Sequence, residues 1–87
     1  MKKIVAGVFN YFENTLELKQ YEIPDDITSF KDMLIEITKQ KFFIDKDSVI
    51  KETIEWIEKM PDDKEIIKNN FLDGDMAIEI ITIKEEI

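Results

Sequence analysis

Two segments of the chain carry apolar residues on both of their alternating faces, and this pattern limits the possible folds most. In residues 4–12 one face holds Val5, Phe9 and Tyr11, and the other holds Ile4, Ala6, Val8 and Phe12. In residues 76–84 one face holds Ala77, Ile81 and Ile83, and the other holds Ile78 and Ile80. The pattern is typical of a strand that is covered on both sides, or covered on one side and aromatic on the other. We therefore predict two strands that lie side by side.

A third strand is predicted at residues 15–22, where Leu16 and Leu18 alternate with Glu17 and Lys19. Charges on one face of a short strand are typical of an edge strand that resists unwanted pairing. Glu13-Asn14 precedes this segment, and Asn tolerates the left-handed conformation that tight turns require. The first two strands are therefore predicted to form a β-hairpin.

Between the hairpin and the last strand the apolar residues follow a helical period. A first helix is predicted over residues 28–41, with Thr28 or Ser29 as its N-cap and Ile35 on its charged side. A second helix starts within residues 45–47 and runs to about residue 60, with Ile50, Ile54 and Ile57 as its core line. Asp62-Asp63 is predicted to cap a short third helix that ends near residue 69.

These elements predict one α+β domain that spans residues 1–87, with the topology ββαα(α)β. The simplest architecture is a single-layer, three-stranded sheet, made of the hairpin and the C-terminal strand in the order 2-1-3. Two main helices and the short third helix pack on one face of this sheet. A chain of 87 residues is long enough for one modest core and no more.

The charge of the chain excludes several classes of partner. There are 20 acidic and 12 basic residues, every basic residue is a lysine, and the net charge is −8. Such a chain repels phosphate backbones and anionic membrane surfaces, and it lacks the arginines that hold phosphate in a bidentate manner. We therefore expect no direct binding of nucleic acid or membrane, and we expect attraction to a basic protein surface.

The absence of cysteine fits a reducing compartment. The apolar run from Ile4 to Phe9 is shorter than the core of a signal peptide, about 7–15 residues, and no segment reaches the roughly 20 apolar residues of a membrane span. These features favour a cytoplasmic location.

The residue inventory argues against catalysis. The chain has neither His, the common general base near neutral pH, nor Cys, the thiolate nucleophile. Ser29 and Ser48 lie at predicted helix starts, where capping explains them, and Gly7 and Gly74 belong to no phosphate-binding loop. We therefore expect no enzyme activity, no catalytic residue and no cofactor.

Two acidic segments resemble short pieces of a cation-binding loop. Asp45-Lys46-Asp47 begins like a calcium loop, but Val49 stands where the next oxygen ligand belongs and Trp56 replaces the terminal Glu. Asp73-Gly74-Asp75 is shorter still. Caps and turns explain both segments, and no metal site is predicted.

An acidic face is the first candidate for a binding surface. Its residues are Glu52, Glu55, Glu58, Asp62, Asp63, Asp73 and Asp75. Carboxylates spread over a compact domain can imitate a phosphate backbone and occupy a nucleic-acid site on a basic protein. The hypothesis is a small regulator or inhibitor, of phage or mobile-element origin. The alternative is that these carboxylates only keep a small domain soluble.

An apolar patch is the second candidate, made of Trp56, Met60 and Ile35. If these side chains are exposed together, they form an anchor for a protein partner or for a homodimer of a structural or accessory domain. The alternative is that Trp56 closes the core against the third helix or the Phe42-Phe43 connector.

Overall fold

A computed structural model of the chain describes residues 1–42, 44–70 and 76–82. Its elements in chain order are β1 (Lys2–Asn10), β2 (Thr15–Ile23), α1 (Phe30–Lys39), α2 (Asp47–Lys59), α3 (Lys64–Asn70) and β3 (Met76–Thr82). Within the described residues the sheet has three strands in the order β2-β1-β3, which confirms the predicted order and the α+β class. Ile83 and Lys84, the end of the predicted last strand, lie outside the described residues.

Both neighbours of β1 run antiparallel to it. Ala6 lies opposite Lys19 of β2 and opposite Ile80 of β3, and this register extends along the ladders on both sides. Directly opposite residues of an antiparallel pair point to the same face of the sheet. The register therefore assigns every described strand residue to one face or the other.

The first strand begins at Lys2 and ends at Asn10, so the predicted range of residues 4–12 was wrong at both ends. Its early end has a local cause. The Oδ1 atom of Asn10 accepts hydrogen bonds from the backbone N–H groups of Phe12 (3.0 Å) and Glu13 (3.2 Å). These bonds remove Phe12 and Glu13 from the ladder and start the turn at Asn10. Asn14 closes the turn with φ 53°, as the left-handed tolerance of Asn predicts.

The first helix begins and ends with recognisable capping bonds. The Ser29 hydroxyl accepts the N–H of Asp32 at 3.1 Å, which confirms Ser29 as the N-cap. At the other end Phe42 N–H donates to the Ile37 carbonyl, and Lys41 N–H donates to the Thr38 carbonyl. These two bonds form a Schellman motif in which Lys41 takes the left-handed position, with φ 64°. The helix therefore stops at Lys39, before the predicted residue 41.

The core lies between one face of the sheet and the helices. Its buried residues are Ile4, Ala6, Val8, Tyr21, Ile23, Phe30, Leu34, Ile37, Phe42, Ile57, Ile67, Ile78 and Ile80. Lys31 on α1 donates to the carbonyl oxygens of Glu58 (3.0 Å) and Met60 (2.8 Å), which holds α1 to the C-terminal end of α2. Such bonds satisfy carbonyls that the end of a helix leaves without an intrahelical partner.

Two predictions about the helix faces need correction. Of the predicted core line of α2, only Ile57 is fully buried. Ile50 and Ile54 are half-buried and line a groove that Lys39 and Lys41, from the C-terminal end of α1, also line. Ile35, predicted on the charged side of α1, is half-buried and packs against the core. The reason is that α1 packs against α2 as well as against the sheet, so more than one side of α1 is in contact with other elements.

Candidate functional site: the open sheet face

The helices supply their buried side chains to one face of the sheet, the face of Ile4, Ala6 and Val8. Because side chains alternate along a strand, the residues between them point to the opposite face. We call this opposite surface the open sheet face. Its apolar members are Val5, Phe9, Leu16, Leu18, Ala77 and Ile81.

The apolar side chains of the open sheet face are exposed to an unusual degree. Leu16 is 61%, Leu18 67% and Ile81 62% exposed, although leucine and isoleucine are typically buried residues. Val5 and Phe9 on the central strand lie between them, Ala77 is on β3 with Ile81, and all three are half-buried. A shallow depression of about 200 Å³ crosses this face, lined mainly by these side chains. The result is one contiguous apolar surface across all three strands.

An aromatic pair extends this surface toward the hairpin turn. The rings of Phe9 and Tyr11 meet edge to face, with their centroids 5.2 Å apart. Tyr11 is 60% exposed, and its ring continues the apolar surface past the end of β1. Edge-to-face geometry is a favourable arrangement for two aromatic rings and holds Tyr11 beside the sheet.

At the margin of the open sheet face, positively charged side chains lie next to negatively charged ones. Glu79 lies opposite Gly7, and its carboxylate accepts from Lys64 Nζ at 2.7 Å and from Lys68 Nζ at 3.0 Å. The hydrogen bond from Lys64 is the main cause that lowers the pKa of Glu79 to about 2, Lys68 adds to it, and partial burial opposes it. At the other end of the face Lys3 lies opposite Glu22. Among the described residues the margin is therefore close to neutral, in a chain of net charge −8.

Comparison with known proteins adds no assignment. No protein-family model, curated protein or solved structure matches this chain. No helix in the described part of the chain is long and apolar enough to cross a membrane. Nor do residues 1–42, 44–70 and 76–82 bring together three or more His, Cys, Asp or Glu residues that could hold a metal ion.

The structure separates the residues of the predicted acidic face by role. Glu52, Glu55 and Glu58 are exposed on α2, and Asp62 is exposed just after it. The carboxylate of Asp63 accepts the N–H groups of Glu65 and Ile66 and so caps α3, as its position predicted. Asp73 and Asp75 lie outside the described residues.

The exposed side of α2 carries both signs of charge. Lys51 and Lys59 are exposed too and, at 100° per residue, fall within or beside the arc of Glu52, Glu55 and Glu58.

The residues of the predicted apolar patch occupy a different setting from the open sheet face. Trp56, Met60 and Ile35 are all half-buried, and all three pack against the core. Less of each side chain is therefore free for a partner than of Leu16, Leu18 or Ile81. Their role in partner binding stays a prediction.

The sequence did contain a signal for the open sheet face. The alternation in residues 15–22 predicts Leu16 and Leu18 on one face of an edge strand, and the pattern of residues 4–12 predicts a strand that is apolar on both sides. A three-stranded sheet with helices on one face only must leave its second apolar face uncovered. The sequence therefore identifies the apolar face that contains Leu16 and Leu18, and the structure shows that the helices lie on the other side of the sheet.

Proposed function

We propose that this chain is a small, non-enzymatic protein that acts by binding another protein through its open sheet face. The observation that carries the proposal is the exposure of Leu16, Leu18 and Ile81 on one surface. Large contiguous apolar patches are uncommon on monomeric soluble proteins, and where they occur they often mark contact surfaces. Side chains such as these gain free energy when a partner removes them from water.

The partner that fits this surface is a folded protein with an apolar patch of low net charge. Binding would remove water from the centre of the face, where an unpaired charge on the partner would be costly. The matched pairs at the margin, Glu79 with two lysines and Lys3 opposite Glu22, would lie at the polar rim of the contact. In the part of the chain that the structure describes, these pairs give no excess of carboxylates that would demand a basic partner.

The residue inventory supports binding over catalysis. The chain supplies neither an imidazole nor a thiol, and the depression on the open sheet face is shallow and mainly apolar. Catalytic sites need positioned acids, bases or nucleophiles in a cleft that excludes water. A cytoplasmic location, which the absence of cysteine favours, is part of the same proposal.

The proposal is tested by affinity capture with three forms of the protein in an extract of its native host. The forms are wild type, Leu18→Lys on the open sheet face, and Val49→Lys on α2. Val49 is an exposed aliphatic residue on a helix, and both substitutions change the net charge equally. A recovered protein is then purified, and its affinity for each form is measured by titration calorimetry. We expect Leu18→Lys to weaken binding at least about thirtyfold, the effect of losing a hot-spot residue, and Val49→Lys to leave it unchanged.

Equal affinity for wild type and Leu18→Lys would contradict the proposal, provided that circular dichroism shows both forms folded. Loss of binding in Val49→Lys alone would move the contact surface to the helices. Ile81→Lys repeats the test from another strand, so the result does not depend on one variant.

The exposed glutamates of α2 favour a second candidate. Glu52, Glu55 and Glu58 share one exposed side of α2, and the chain carries a net charge of −8. In this version the partner is a basic, nucleic-acid-binding protein, and the chain is a regulator or inhibitor of phage or mobile-element origin that imitates phosphate charge. Lys51 and Lys59 weaken the field on that side of α2.

Salt and charge reversal separate the second candidate from the first. Binding through α2 should weaken steeply with rising salt concentration, and the double reversal Glu52→Lys with Glu55→Lys should reduce it. The matched control reverses Glu13 and Glu17 on the hairpin, which changes the net charge by the same amount. Binding that is insensitive to salt and to the α2 reversal would exclude this candidate.

A further inference from the structure

We infer that the occupant of the open sheet face is a second copy of this chain, so that two sheets pack face to face in a symmetric dimer. The inference rests on the proposed function, because it names the partner for the same surface. In a two-fold dimer one patch meets its own copy, so the patch must be complementary to itself. An apolar surface with paired charges at its margin meets this condition, whereas a surface of one charge sign does not.

Charge distribution favours this face over the exposed side of α2. Two copies of a chain with net charge −8 repel one another, and the repulsion is weakest where the local charge is balanced. Within residues 1–42, 44–70 and 76–82 the margin of the open sheet face carries three lysines, Lys3, Lys64 and Lys68, against the two glutamates Glu22 and Glu79. Contact between two α2 surfaces would instead bring Glu52, Glu55 and Glu58 of both copies together, and Lys51 and Lys59 offset this charge only in part.

The area of the patch is sufficient for a dimer of modest affinity. Leu16, Leu18, Ile81 and Tyr11 are each at least 60% exposed. With the half-buried Val5, Phe9 and Ala77 they offer on the order of 500 Å² of side-chain surface in each copy. Two copies would then bury about 1,000 Å², which is near the lower limit for a specific protein interface.

The shape of the face also suits the packing of two sheets. Facing sheets pack about 10 Å apart, with their side chains interdigitated and their strands inclined by about 30°. The depression that crosses the face, about 200 Å³ in volume, leaves a recess for side chains of the second copy. In such a dimer the helices form the two outer layers, and the exposed glutamates of α2 stay in water.

Sedimentation velocity over a concentration series, from micromolar to millimolar chain, tests the inference. We expect wild type to shift from monomer to dimer within this range. Leu18→Lys and Ile81→Lys should each raise the dissociation constant at least about thirtyfold. Val49→Lys, with the same change of charge on α2, should associate like wild type. Amide chemical shifts recorded over the same series should change at β1, β2 and β3 and stay constant on α2.

A dimer that persists in both Leu18→Lys and Ile81→Lys would overturn the inference, and so would shift changes confined to the outer edge of β2. A wild-type chain that is monomeric at millimolar concentration would also overturn it. In that case a captured protein whose binding is lost in Leu18→Lys would still support the proposed function. A monomer with no partner sensitive to Leu18→Lys would overturn both.

Discussion

The side chain of Leu18 lies across Gly7 on the neighbouring strand. The two residues are directly opposite in the β1–β2 ladder, and a Cβ atom built on Gly7 would lie 2.8 Å from Cδ2 of Leu18. Gly7 therefore lets a leucine from the edge strand lean over the central strand. Both residues are among those that line the depression on the open sheet face.

Gly7→Ala tests how firmly Leu18 is held in this position. Alanine in a strand costs about 0.5–1 kcal/mol less in backbone entropy than glycine. The contacted atom is the end of a flexible side chain that is 67% exposed, so Leu18 can rotate away. We expect the free energy of unfolding in urea to rise by up to about 0.5 kcal/mol. The same substitution in a Leu18→Ala background measures the gain without the contact, and a loss above about 1 kcal/mol in wild type alone would show that Leu18 cannot move.

Lys41 offers a second test, of backbone strain at the end of α1. Its φ of 64° lies in the left-handed region, where a residue with a Cβ is about 1–2 kcal/mol less stable than in the right-handed helix. Lys41→Gly should therefore raise the free energy of unfolding by about 1 kcal/mol, because glycine is the preferred residue at this position of a Schellman motif. Lys41→Ala removes the same charge and keeps the strain, so it should leave stability nearly unchanged. Equal stability of the two variants would contradict this account.

Local patterns predicted the hairpin and the helices because they act over a few residues. Alternation in residues 15–22, the left-handed tolerance of Asn14 and the cap at Ser29 needed no tertiary information. The early end of β1 escaped prediction because the Asn10 side chain competes with the ladder for backbone N–H groups. The direction of β3 escaped prediction because parallel and antiparallel strands can share one apolar pattern.

The candidate site was harder to predict because it depends on which faces meet. The apolar arc of α2 includes Trp56, but the sequence does not say that α2 packs along α1 and leaves Ile50 and Ile54 beside a groove. Exposure of Leu18 likewise depends on the helices all lying on the other side of the sheet. Periodicity identifies an apolar face and leaves its partner undetermined.

Tyr21 carries the one side-chain polar atom of the described residues that is buried without a hydrogen-bond partner. A buried hydroxyl with no partner lowers stability by about 1–3 kcal/mol relative to a satisfied one. Its ring packs edge to face on Phe42, with centroids 5.8 Å apart, and phenylalanine would keep this contact. Tyr21→Phe should therefore leave the free energy of unfolding unchanged or raise it by up to about 1 kcal/mol. A loss of more than about 1 kcal/mol would show that the hydroxyl is satisfied in solution.

Burial, with a smaller effect of Glu17, raises the pKa of Tyr21 above its usual value of 10.0. The neutral form of Tyr21 is therefore favoured in the folded state, and above pH 10 the unfolded chain loses this proton more readily. The contribution of Tyr21 to the free energy of unfolding is thus complete below pH 10 and falls as the pH rises further. Tyr21→Phe should remove this part of the alkaline loss. An unchanged alkaline unfolding profile in Tyr21→Phe would show that other groups cause it.

Glu79 is expected to make the stability of the fold depend on pH in the acidic range. Its pKa is lowered from 4.5 to about 2 in the folded chain, mainly by the hydrogen bond from Lys64. Between these two pH values the unfolded chain binds more protons than the folded chain. The contribution of Glu79 to the free energy of unfolding is therefore complete above about pH 5 and is lost as the pH falls toward 2. Because the Glu79 side chain is 46% exposed, solvent screening limits this contribution to about 0.5–1 kcal/mol.

Glu79→Gln should be less stable than wild type by this amount at pH 7 and equally stable near pH 2, as measured by urea unfolding over a pH series. Asp26→Asn serves as the control, because Asp26 is exposed and forms no ion pair with the described residues. A difference between wild type and Glu79→Gln that stays constant down to pH 2 would exclude the ion pair as its cause.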